Sequence, residues 1–248
     1  MENLKGKIAL VTGGNSGIGY ATAAELKAQG AEVIITGRRK EAIEKAAAEL
    51  GVTGLLADQG KVSDIEELAA QVGLRYGKID ILFINAGVLE MTLIENATEN
   101  AFDNVIGVNF KGAYFTLSRF IPLLNDGASV VFLSSNTAGM SAANSSMYSS
   151  SKAALNSIMK TAAIELAPSK IRVNSVSPGP IQTEILNKAG YTEEQLTQIH
   201  HWMIDRIPLK KIGQPGDIGK MVAYFSGEAA NFITGAEIIM DGGMSLKQ

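Results

Sequence analysis

Short runs of β-branched and aliphatic residues recur along the chain with little polar alternation inside them. Ile8–Val11, Val33–Thr36, Gly54–Ala57, Ile81–Ile84, Ser129–Leu133, Ile171–Val176 and Glu237–Met240 each read as a strand buried on both faces, as in a parallel sheet covered by helices. The stretches between them carry helical spacing of apolar positions: Ile18–Gln29, Lys40–Leu50, Ser63–Tyr76, Val105–Leu124, Tyr148–Ala167 and Pro215–Ser226. Gly30 and Gly51 stand where C-terminal caps belong, and Ser63 with Glu66 has capping-box spacing. The alternation predicts an α/β fold, a doubly wound parallel sheet of about seven strands with helices on both faces.

One segment departs from the alternation. Residues 178–208 are polar-rich and bounded by prolines, with apolar Ile185, Leu186, Trp202 and Met203 among them. A pair of core helices is one reading. The expectation adopted here is a substrate-covering flap, because long insertions in compact domains tend to be functional. With no repeat or linker visible, residues 1–248 are expected to form one domain.

Composition removes several function classes. The net charge is −3 without a basic cluster, so no nucleic-acid partner is expected. The absence of cysteine excludes disulfides, thiolate nucleophiles and Cys-ligated zinc. His200 and His201 are the only histidines, and adjacent helical residues point about 100° apart, so no metal site is expected. No signal-peptide pattern precedes the first strand, and no apolar run approaches the roughly 20 residues that cross a bilayer. A cytoplasmic protein without a membrane partner is the expectation.

The chemistry gathers at the C-terminal ends of the predicted strands. Strand one leads into Thr12-Gly-Gly-Asn-Ser-Gly-Ile-Gly19 and then a helix. In that loop Gly13 permits a tight turn, Gly17 a close phosphate, and Gly19 close helix packing. Asn15, Ser16 and Ile18 complete a loop whose following helix N-terminus suits a pyrophosphate. Strand two ends Thr36-Gly37-Arg38-Arg39 with no carboxylate, so Arg38 favours the 2′-phosphate of NADP(H), with NAD(H) as the alternative. Asp58, after strand three, reads as an acceptor for an adenine amino group or as a turn aspartate. Asn85 and Gly87, after strand four, leave room for the cofactor.

Tyr148 and Lys152 stand at i and i+4, on one helix face. A phenol titrates near pH 10 in water, and a neighbouring ammonium lowers that value by favouring the phenolate. A downward shift of about 3 units requires roughly 4 kcal/mol of differential interaction. Ser135 ends strand five, where its hydroxyl can hold a substrate oxygen while Tyr148 exchanges the proton; Ser134 is the alternative.

Together these segments resemble the short-chain dehydrogenase/reductase family along essentially the whole chain. The resemblance rests on Thr12–Gly19, on Ile84-Asn-Ala-Gly87 where the family has N-N-A-G, and on Tyr148–Lys152, Pro178-Gly179 and Thr234-Gly-Ala-Glu…Asp241-Gly-Gly243. It implies a structural Asn109 that organises a water beside Lys152, and contacts from Pro178, Gly179, Ile181 and Thr183 to the nicotinamide. It also implies a homotetramer, for which the apolar faces of Val105–Leu124 and Tyr148–Ala167 are candidates. The expected activity is NADP(H)-dependent reduction of a ketone or ketoester to a secondary alcohol, and the reverse. Alternatives are an NAD-dependent sugar or steroid alcohol dehydrogenase, an epimerase or dehydratase sharing the Tyr–Lys pair, and a non-catalytic dinucleotide sensor.

Overall fold

In the computed structural model, which describes residues 4–140, 142–183 and 192–246, seven parallel strands form one sheet. They are β1 (Ile8–Val11), β2 (Glu32–Gly37), β3 (Thr53–Leu56), β4 (Ile79–Ile84), β5 (Leu124–Leu133), β6 (Arg172–Pro178) and β7 (Glu237–Met240). Their order is β3-β2-β1-β4-β5-β6-β7. The chain therefore winds outward from β1 to β3, returns, and winds the other way from β4. That reversal opens a crevice between the carboxyl ends of β1 and β4.

Each strand feeds both faces because successive side chains point to opposite sides. On one face Leu10, Ile34, Leu82, Val130 and Val173 pack with Leu68 and Val72 of α3 (Val62–Tyr76), and with Leu155 and Met159 of α6 (Ser146–Glu165). On the other, Val11, Ile35, Phe83, Val131 and Val176 pack with Leu26 of α1 (Gly17–Ala28), Ile43 of α2 (Lys40–Leu50) and Val222 of α8 (Pro215–Ser226). Helix α8 lies close on α1 because Gly219 has no side chain. A Cβ there would sit 3.1 Å from the Ala21 carbonyl oxygen.

Three expectations about the helices need correction. Helix α3 begins at Val62 behind Lys61, so Ser63 lies inside it and makes no capping box. Glu66 pairs instead with Arg119 at 3.0 Å. The helix expected from Val105 starts six residues earlier as α4 (Glu99–Ile106), where the Thr98 hydroxyl accepts from the Ala101 N–H. It then widens into a π-helical turn at Gly107–Gly112 before α5 (Ala113–Phe120). The wide turn fits a close approach: a Cβ on Gly112 would overlap the carbonyl oxygen of Gln59.

Within 178–208 the described part is not an irregular flap throughout, since α7 (Glu193–Arg206) occupies much of it. Thr192 and Gln195 cap that helix reciprocally, and Arg206 stacks 4.3 Å from the centre of the Trp202 ring. Ile185 and Leu186 fall outside the described residues. Among the described residues no helix is long and apolar enough to cross a membrane.

Candidate active site

The crevice at the switch point holds a cavity of about 700 Å³ lined from the glycine loop to α6. Local hydrogen bonds hold its upper rim. The Thr12 hydroxyl accepts from the N–H groups of Asn85 and Ala86 at 2.9 and 3.0 Å. In return Asn85 Nδ2 donates to the carbonyls of Thr12 and Gly13. Asn85 lines the cavity, yet its amide mainly braces the loop.

Gly13 takes φ +64°, and a Cβ on it would lie 2.9 Å from the Ala86 backbone. Gly19 contacts the loop itself rather than a strand, because a Cβ there would overlap the Gly13 carbonyl oxygen. Gly17 takes φ +56°, and a Cβ on it would lie 3.4 Å from the Thr183 methyl. Asn15, Ser16 and Ile18 also line the cavity. Helix α1 starts without a side-chain cap and without an acidic residue in its first turn, leaving its N–H groups and positive dipole end to an anion. Arg38 and Arg39 are exposed at the same end of the cavity, with no ion pair among the described residues. Asp58 uses one carboxylate oxygen to accept from the Gly60 N–H at 3.0 Å, an Asx-type turn that leaves the other oxygen available.

At the opposite end lie Tyr148 and Lys152. Ser134 and Ser135 point apart. The Ser134 hydroxyl donates to the Lys152 carbonyl at 3.1 Å, whereas Ser135 hydrogen-bonds with Tyr148. Ser135 Oγ accepts from the N–H and the hydroxyl of Thr137 at 3.2 and 2.9 Å, so its own hydrogen remains to be donated. Asn109 sits in the π turn, 1% exposed. Its amide accepts from the Val88 N–H at 2.8 Å and donates to the Val88 carbonyl and to Ser151. These bonds hold the chain beyond β4 against α6.

A family model described as Enoyl-(Acyl carrier protein) reductase matches residues 13–245. A versicolorin reductase of Emericella nidulans is 33% identical over 256 residues, covering 97% of this chain and 96% of that protein. The human dehydrogenase/reductase SDR family member 4 is 34% identical, covering 98% of this chain and 88% of that one. Among solved structures, a short-chain glucose/ribitol dehydrogenase of Brucella melitensis superposes with a TM-score of 0.91 at 31% identity, covering 98% of both chains. A short-chain dehydrogenase of Burkholderia cenocepacia, solved in complex with NADP, gives 0.88 at 29%, covering 98% of this chain and 99% of that one. The chain belongs to the short-chain dehydrogenase/reductase family. It is accordingly an oxidoreductase acting on a CH–OH/carbonyl couple with a nicotinamide dinucleotide.

As a short-chain dehydrogenase/reductase the protein departs from the electrostatics expected of its Tyr–Lys pair. The Tyr148 pKa is raised above its ordinary value by burial, and the Ser135 hydrogen bond only partly offsets that. Burial also drives Lys152 down to about 8. The ammonium lies 5.6 Å from the centre of the Tyr148 ring and donates to the Leu133 carbonyl at 2.8 Å, leaving two of its three hydrogens for other acceptors. Desolvation therefore outweighs the Ser135 hydrogen bond in this structure, and the phenol keeps its proton at neutral pH.

The four residues expected near the nicotinamide beyond β6 divide in their relation to the cavity. Thr183 lines the cavity, but Pro178, Gly179 and Ile181 do not. Gly179 backs onto Asp241, whose Cα would stand 2.8 Å from a Cβ there, and Ile181 packs into the α1–α8 core. Asp241 had no role in the sequence reading beyond its motif. Its carboxylate accepts from the N–H groups of Gly243 and Ser245 and from Asn136, which keeps its pKa below the usual value and ties the last turn to the Ser135 loop. Gln59, also missed, lines the cavity and donates to the carbonyls of Ala86 and Val108.

Proposed function

We propose that the protein is an NADP(H)-dependent carbonyl reductase that converts a ketone or ketoester of moderate size to a secondary alcohol, and runs the reverse reaction. The observation that carries this reading is the single cavity joining the glycine loop, Arg38, Tyr148 and Lys152. The residues fit a dinucleotide: a glycine-rich loop, an uncapped helix N-terminus and an unpaired guanidinium lie in sequence along one wall. A bound nicotinamide supplies or accepts the hydride. Gly13, Gly17 and the α1 N-terminus hold the pyrophosphate, Asp58 the adenine, and Arg38 the 2′-phosphate. Thr183, early in the 178–208 flap, contributes from above.

Ser135 and Tyr148 hold the carbonyl oxygen, and Tyr148 Oη donates its proton as charge develops there. The raised phenol pKa supports the reductive direction, because the acid is present in its protonated form. Lys152 holds the ribose hydroxyls with the hydrogens not engaged by Leu133, and Asn109 fixes the Gly87–Val88 segment against it. A panel of ketones and secondary alcohols, assayed with NADPH and NADH in parallel, tests the reading; absence of any dinucleotide-linked turnover overturns it.

Arg38→Ala is expected to lower kcat/KM for NADPH by about 10- to 150-fold, the range of a charged hydrogen bond worth roughly 1.5–3 kcal/mol. NADH kinetics should stay within about twofold, since that cofactor has no 2′-phosphate to lose. Equal losses with both cofactors would remove Arg38 from the phosphate site.

The pH dependence follows from Lys152. Its ammonium is complete well below pH 8 and is lost as pH rises through about 8. The kcat/KM for NADPH, which reports groups on the free enzyme, should then fall about tenfold per pH unit above that point. A profile flat to about pH 10 would show that ribose binding does not need the charge. We further propose a homotetramer, supported by Phe102 and Tyr114, which stand about half exposed on α4 and α5.

A further inference from the structure

A second cleft of about 500 Å³ begins at Leu93, two residues beyond Met91 of the catalytic cavity. It is lined by Leu93, Ile94, Ala142, Ala143, Asn144 and Ser146, together with Glu95. Two segments connect it to the reacting end. The chain from Gly87 to Ile94 lines the main cavity as far as Met91 and the second cleft from Leu93 onward. The 142–146 segment runs directly into Tyr148, two residues beyond Ser146. The Thr92 N–H donates to the Asn144 carbonyl at 2.8 Å and ties the two segments together between Met91 of the one cavity and Leu93 of the other.

The start of this path is fixed at Lys152, because a Cβ on Gly87 would lie 3.6 Å from its ammonium nitrogen. The route therefore runs from the reacting groups over the N-terminal end of α6. Its walls are apolar and open: Met91, Leu93 and Ile94 are 47, 46 and 79% exposed. Ala142 and Ala143 are also exposed, and their small side chains leave the floor unfilled. Beyond Lys152 the charged residues on the path, Glu90 and Glu95, are both acidic, and no described Lys or Arg lines the second cleft.

Resting on the carbonyl-reductase reading, we infer that this shelf binds the apolar tail of a neutral substrate and disfavours substrates whose tail ends in a carboxylate or phosphate. The occupant is assigned by continuity. A ketone held at Ser135 and Tyr148 with one short substituent has its longer substituent directed along the apolar residues that follow Gly87, from Met91 to Ile94. Two carboxylates flanking an apolar surface repel an anion and leave hydrocarbon unaffected. Each methylene laid on the shelf removes apolar surface from water.

The test is a series of methyl ketones of increasing chain length, with matched ω-carboxy ketones, assayed with wild-type protein, Ile94→Ser and Ala143→Phe. Wild-type kcat/KM should rise about two- to fourfold per methylene, the upper figure being full burial. An ω-carboxylate should reduce it at least about tenfold, and the two variants should flatten the series while leaving the shortest ketone unchanged. An unchanged slope in both variants, or equal use of the carboxylates, overturns the proposal. So does loss of an oligomer in sedimentation without a change of slope, which would assign the shelf to a second copy of the chain. Binding of n-alkyl amides to the dinucleotide complex, followed calorimetrically, separates the two readings. A chain-length dependence there that Ile94→Ser removes keeps the shelf even if no ketone turns over.

Discussion

Tyr148→Phe is expected to lower the reduction rate by about 10²–10⁴-fold, the usual contribution of a positioned general acid. The substitution removes one oxygen and keeps the ring, so the face presented to Lys152 at 5.6 Å persists. Ser135 retains a hydrogen to donate because Thr137 supplies both bonds that its oxygen accepts. Polarisation of the carbonyl therefore survives, and proton delivery does not. Dinucleotide affinity should change by less than about threefold, a difference under 1 kcal/mol. Single-turnover rates measured beside cofactor binding check both halves. A variant that turns over near the wild-type rate while binding cofactor normally would move the proton donor elsewhere.

Gly19→Ala should cost the protein its cofactor. The added methyl would overlap the Gly13 carbonyl oxygen and come within 2.5 Å of Asn85 Nδ2. That amide donates to Thr12 and Gly13 at 2.7 and 3.1 Å, so the collision also loosens the brace beneath the loop. Overpacking of this kind destabilises by about 1–3 kcal/mol, which for a chain of this length lowers Tm by roughly 2–12 °C. Because the displaced backbone is itself the phosphate cradle, affinity should fall by at least about 100-fold, equivalent to roughly 2.7 kcal/mol. Fluorescence titration with NADPH measures the loss, and a thermal melt shows whether the variant is folded. Affinity within about threefold of wild type would mean that the loop tolerates the methyl and does not need its observed geometry.

The legible parts of the fold were those with strong local contrast. β1 matches the apolar run at Ile8–Val11, because a strand buried on both faces shows itself as uninterrupted hydrophobic sequence. β7 keeps the bounds expected for it, Glu237–Met240, but it lies at the sheet edge and is only partly buried, with Ile239 exposed. Helix α4 was less visible. Between Glu99 and Ile106 only Ala101 and Val105 are buried, too narrow a stripe to stand out. The Thr98 cap offered a signal three residues ahead of Ala101. The π turn had none, since it answers to Gln59, more than 40 residues away in sequence.

In the candidate site, Thr12 was read only as the start of its motif and Gln59 escaped notice for a similar reason. A threonine after a strand and a glutamine after an aspartate are ordinary residues until their partners on β4 and the π turn are in place. Asp241 is likewise an unremarked turn residue until Gly179 and Asn136 come against it.

The sequence by itself determined the alternation of strands and helices, the glycine spacing after β1, the arginine after β2, and the four-residue interval from Tyr148 to Lys152. All of these are local, set by side-chain type and by the period of one element. The tertiary structure alone decided that Ser135 rather than Ser134 meets the phenol, that Gly179 packs on Asp241 and Ile181 against the core, and that burial raises Tyr148 and lowers Lys152. Orientation and desolvation are sums over atoms from distant segments, and no spacing along the chain contains them.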